Sequence, residues 1–129
     1  MRNWITAAAV IVAGTATAAG PAAAQSGEAS KGQRVFNTQC KSCHTLEKDG
    51  AQVTGPSLHG LFGRKAGTSA GYAYSDAMKN SGIVWDETTL ADYNRDPKGK
   101  VPGTKMLYNG VKNAGQLADL VAYLKEATK

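Results

Sequence analysis

The chain's two cysteines, Cys40 and Cys43, and one of its two histidines, His44, fall in a single stretch, "CKSCHT". Residues of these types can form a redox dithiol, a zinc half-site, a disulfide or a point of covalent haem attachment. A thioredoxin-like dithiol belongs near a βαβ pattern, and no such pattern is visible here. Zinc needs a second ligand cluster to complete its tetrahedron, but only His59 remains. A disulfide suits an exported protein, but this one would close a loop of two intervening residues and constrain the unfolded chain very little. In the fourth chemistry the thiols add across haem vinyl groups as thioethers and the following histidine coordinates iron. Two cysteines three apart on a helical turn meet two neighbouring vinyls on a porphyrin edge. The residue after the second then lies beneath the metal. The sequence therefore predicts one haem c per chain, bound through Cys40 and Cys43.

The sixth iron position decides the chemistry. A Met or His there gives electron transfer, whereas an open position gives ligand binding or catalysis. The candidates are Met78, Met106 and His59. Met78 sits within the helical stretch "YSDAMKNS", where a packed apolar role is the plainer one. His59, in "GPSLHG", reads as a loop histidine. Met106 follows "KVPGTK", a loop shaped by Pro and Gly that can present a flexible thioether.

These residues need a frame to position them. The chain has 129 residues, which fits one domain, but the opening differs from the rest. Arg2, an apolar run from Ile5 to Ala13 and Ala22-Ala23-Ala24 before Gln25 read as a signal peptide spanning 1–24, cut after Ala24. The run is too short for a membrane span, which needs ~20 apolar residues. The expected mature domain is residues 25–129, exported to the periplasm and without stable membrane insertion.

The rest of the chain predicts an all-α fold of about four helices joined by long loops. A first helix covers 26–39, capped by Ser26 or Ser30. A short one runs from Tyr74 or Ser75 to Asn80, closed by Gly82. A third, "ETTLADYNRD", is capped by Asp86 and stopped by Pro97. The last opens at Asn113, with Leu117, Leu120, Val121 and Leu124 forming one apolar stripe. Between the first two helices, residues 45–71 lack periodicity and are rich in Gly. Elements this modest bury little apolar surface, so a bound cofactor is expected to complete the core. The net charge of +5, one less once Arg2 is gone, favours acidic partners. Nucleic acid is not among them, because dense basic runs with interleaved aromatics are missing.

The stretch from "CKSCHT" through "GPSLHGLFGRKAG", "YSDA", Trp85 and "PGTKM", with "LADLVAYLKEATK", resembles class I cytochrome c, the mitochondrial protein and its short bacterial periplasmic relatives. The resemblance covers essentially all of the expected mature domain. It implies the small cytochrome c fold and a monomeric one-electron carrier rather than an enzyme. The carrier would shuttle between a quinol-oxidising cytochrome bc complex and a terminal oxidase or photosynthetic reaction centre. His44 would ligate iron with its other ring nitrogen bonded to the Pro56 carbonyl, and Met106 would be the distal ligand. Arg64, Tyr74 and Trp85 would hold the propionates, and Tyr93 and Thr104 would lie on the Met side. Arg34, Lys98, Lys105 and Lys112 would belong to a ring that docks on acidic faces of membrane redox complexes.

The chain departs from the family pattern in several places. Asn94 stands where Leu is usual, Met78 where Asn is usual and Lys100 where an aromatic is common, while Gln39 and Val53 occupy positions often held by lysine. The polar Asn94 keeps a competing function in view, a haem enzyme or gas-binding protein in which Met106 is labile.

Overall fold

The computed structural model describes residues 27–129 apart from Val53. The expected leader, its cleavage point and Ser26 lie outside the described residues. The architecture is all-α, as the sequence predicts, with five helices where about four were expected. They are α1 (Ala29–Gln39), α2 (Asp76–Lys79), α3 (Glu87–Arg95), α4 (Pro97–Lys100) and α5 (Ala114–Ala127). Among the described residues no strand forms. A single antiparallel bridge pairs Lys65 with Val84.

Caps set most of the boundaries. The Ser75 side chain accepts from the Met78 amide and starts α2. Asp86 accepts from the Thr89 amide while the Thr89 hydroxyl accepts from the Asp86 amide, a reciprocal cap that opens α3. Asn113 accepts from the Gln116 amide and opens α5. The expected serine cap of α1 is corrected: Glu28 occupies the cap position without a side-chain cap bond. The reading of Pro97 as a stop is incomplete. Asp96 accepts from the Gly99 amide, and Pro97, whose missing N–H costs nothing in a first turn, begins α4.

The core forms where α1 crosses α5. Phe36 of α1 stacks obliquely on Tyr123 with centroids 5.6 Å apart. The predicted stripe of Leu117, Leu120, Val121 and Leu124 is wholly buried. Gly32 makes the crossing close. A Cβ there would overlap the Asp119 carbonyl oxygen and come within 2.8 Å of the Tyr123 Cβ. Gly32→Ala must therefore push the helices apart, and the expected cost is ~3 kcal/mol, at the upper end of the usual range for overpacking. The denaturant midpoint of the haem-loaded protein measures it, and an unchanged midpoint would refute the close crossing.

The long segment from residue 45 to 75 holds its shape through side-chain bonds to backbone. Gln52 ties its two ends together: Nε2 donates to the Ala70 carbonyl at 2.8 Å and Oε1 accepts from the Ser57 amide at 3.2 Å. The Tyr72 hydroxyl donates to the Thr54 carbonyl at 3.1 Å. The loop is organised, as its length required, and it wraps one side of the site.

Candidate haem site

Helix α1 ends at Gln39, and the chain turns tightly through the cysteines. The amides of Cys43 and His44 both donate to the Cys40 carbonyl at 3.0 Å. This turn carries Cys40, Cys43 and His44 to the edge of a cavity of about 240 Å³. The apolar walls include Phe36 of α1, Leu61 of the long loop, Leu90 of α3 and Leu124 of α5. Each main part of the fold thus supplies apolar surface to one central space.

Cys40 and Cys43 are free thiols. Burial, and after it the charge of Cys43, pushes the Cys40 thiol up to about 11. The leading cysteine of a redox dithiol needs the opposite shift, so the geometry opposes that chemistry. Zinc fares no better, because among the described residues no three His, Cys, Asp or Glu side chains converge as a metal cluster.

His44 is held by one ring nitrogen. Its Nδ1 lies 2.8 Å from the Pro56 carbonyl oxygen. A carbonyl only accepts, so the proton resides on Nδ1 and Nε2 keeps its lone pair. Burial holds the imidazole below its usual pKa, against the opposing effect of the Pro56 hydrogen bond. The ring is therefore neutral at pH 7, the form a metal requires. Gly55 makes room for it: a Cβ there would stand 2.6 Å from His44 Cε1 and 2.8 Å from Nδ1. The sequence shows Gly55 only as one glycine of a long loop and gives no hint of this close approach.

Of the three candidates for the sixth position, Met78 and Met106 line the cavity, whereas His59 does not. Met78 is buried in α2. Met106 is half-buried in an irregular segment. The Tyr93 hydroxyl and Thr104 Oγ1 are 2.7 Å apart, and the Met106 amide donates to Thr104 Oγ1 at 3.4 Å. Tyr93 and Thr104 thus brace the backbone that presents Met106. Burial keeps the Tyr93 phenol above its usual pKa, so it remains a neutral hydroxyl.

Arg64, Tyr74 and Trp85 also line the cavity. Arg64 is committed to the chain itself, donating to the His59 carbonyl at 3.0 Å and to the Ser57 carbonyl at 3.3 Å. The Tyr74 hydroxyl accepts from the Ser69 amide at 3.2 Å. Trp85 is buried beside Tyr93, with ring centroids 5.3 Å apart. Asn94 is buried as well, and its Nδ2 donates to the Leu90 carbonyl at 2.9 Å. That bond lies within α3 and gives the substituted amide a partner of its own. Gln39 and Tyr108, to which sequence reasoning assigned no role at the site, line the same cavity, and the Tyr108 hydroxyl donates to Gln39 Oε1. Their only sequence signal is position, one residue before Cys40 and two after Met106.

Arg34, Lys98, Lys105 and Lys112 are all exposed. Lys105 Nζ donates to the Ala73 carbonyl at 2.8 Å and Lys112 Nζ to the Arg95 carbonyl at 2.7 Å. Among the described residues none of the four joins an ion pair, in contrast to Lys31, Lys79, Lys100, Lys125 and Arg95. Val53 lies outside the described residues.

The donor set fits covalent haem. Two thiols one turn apart, a neutral imidazole with a free Nε2 and methionine thioethers all meet one apolar cavity. Comparison with known proteins agrees. The cytochrome c family model matches residues 29–128. A cytochrome c of Gibberella zeae is 52% identical over 103 residues, covering 80% of this chain and 97% of the relative. Cytochromes c of Guizotia abyssinica and Chlamydomonas reinhardtii are each 48% identical over 107 residues, covering 83% of this chain and 96% of each relative. These relatives overturn the periplasmic location expected from the sequence, because they are mitochondrial-type proteins of eukaryotes and not bacterial periplasmic ones. Among the described residues no helix is long and apolar enough to cross a membrane. With its haem c bound through Cys40 and Cys43, the chain belongs to the cytochrome c family of electron carriers.

Proposed function

We propose that the protein carries single electrons from a quinol-oxidising cytochrome bc complex to a terminal oxidase or reaction centre, as a monomer and without enzymatic activity of its own. Bound haem iron supplies the ferric/ferrous couple. His44 would hold the iron through Nε2 and Met106 through its sulfur, so that no ligand need change on transfer. The observation that carries this reading is the His44 imidazole, neutral and fixed by Pro56, at the same apolar cavity as Met106. Arg64, Tyr74 and Trp85 would compensate the propionates, which could not be buried without partners. Tyr93 and Thr104 hold the Met106 backbone in place. Residues 1–24 form a removable leader and residues 25–129 the carrier.

Arg34, Lys98, Lys105 and Lys112 steer the protein toward acidic faces. Their attraction is long-range and screened, so it governs encounter more than residence. Stopped-flow oxidation of the reduced protein by a solubilised oxidase tests this. The second-order rate is expected to fall at least tenfold between about 10 mM and 0.2 M salt, as screening shortens from about 30 Å to below 10 Å. A rate independent of salt would refute steering by this ring.

A further inference from the structure

The segment carrying Met106 is anchored on both sides but weakly in between. Upstream, Val101 is buried and Thr104 is bonded to Tyr93. Downstream, Val111 is buried and its amide donates to the Asn94 carbonyl at 2.8 Å. Residues 107–110 between these anchors make one hydrogen bond among the described residues, from the Tyr108 hydroxyl to Gln39 Oε1. Leu107 is 91% exposed, at the rim of the cavity. The bond spans 69 positions of sequence and ends on the last residue of α1, directly before Cys40.

From this we infer that Tyr108 and Gln39 form a latch that positions the Met106 segment and limits the access of outside ligands to the iron. The inference rests on Met106 being the distal ligand. Opening the segment must break the latch, the one hydrogen bond that holds residues 107–110 among the described residues. The net worth of one such bond sets the size of the effect. Both side chains line the cavity, so the latch closes the site with groups already in contact with it. Tyr108→Phe removes only the hydroxyl and keeps the ring, and Gln39→Leu removes the acceptor at similar volume.

The test is imidazole binding to the ferric, haem-loaded protein, followed by loss of the methionine-to-iron charge-transfer band. Tyr108→Phe and Gln39→Leu are each expected to tighten apparent imidazole binding roughly fivefold. The double variant should do no more than either single one, because both remove the same bond. Amide hydrogen exchange at Met106 and Val111, the hydrogen-bonded amides that flank residues 107–110, should quicken in parallel, with the global denaturant midpoint nearly unchanged. A wild type that lacks the band overturns methionine ligation and the latch together. A wild type that has the band, with variants binding imidazole as it does or with effects that add in the double variant, overturns the latch alone.

Discussion

Replacing Cys40 and Cys43 together by alanine is expected to yield a colourless and largely unfolded chain. The two thiols are the covalent anchors of the haem, and without them the central space has nothing to hold its filling in place. A cavity of about 240 Å³ left void would cost on the order of 6 kcal/mol at the rate measured for engineered core cavities. That is comparable to the whole stability of a small domain. The apolar walls come from α1, α3, α5 and the long loop, so collapse onto the void would have to move every main element. Intact mass should show the bare polypeptide, and far-UV circular dichroism should lose most of its helical signal. A pigment-free variant with native-like helicity would contradict a core completed by haem.

Met106→Ala is expected to leave the fold in place but change the iron chemistry. Met106 is half-buried, and its segment keeps the Tyr93–Thr104 contact and the buried Val101 and Val111. With the thioether gone, the ferric protein should bind azide readily and lose its methionine charge-transfer band. The reduction potential should fall by on the order of 0.2 V, since axial ligation is a main determinant of haem potential and a methionine raises it. Met78 is the control, because it is a second thioether at the same cavity. Met78→Leu should keep the band. A band that survives Met106→Ala and vanishes in Met78→Leu would transfer the ligand role to α2.

What the sequence disclosed follows from the range of the interactions concerned. Ser75, Asp86 and Asn113 cap helices through bonds to amides three residues away, and such local geometry is written in local order. The stripe Leu117, Leu120, Val121 and Leu124 is periodic and equally visible. The α4 turn was hidden because Pro97 is compatible with both stopping one helix and starting another, and Asp96 decided between them. Gly32 and Gly55 answer to atoms met only in the folded chain, the Asp119 carbonyl and the His44 ring. The Gln52 ties and the Tyr108–Gln39 bond are likewise long-range. At the site, the cysteine spacing with the adjacent His44, the failure of the competing chemistries and the modest core together pointed to haem, whereas Arg64, Tyr74, Trp85, Tyr93 and Thr104 came from family resemblance. All five line the cavity. Arg64 also braces the loop on which it sits, through the Ser57 and His59 carbonyls. The periplasmic location expected from the sequence was overturned by the eukaryotic relatives.

Ligation of one iron by His44 and Met106 is decided by the visible spectrum of the ferric wild-type protein at neutral pH, recorded with increasing azide. With both residues bound, a methionine-to-iron charge-transfer band is expected and persists at millimolar azide. A spectrum without that band, or one that converts fully to the azide complex at micromolar concentration, would contradict it.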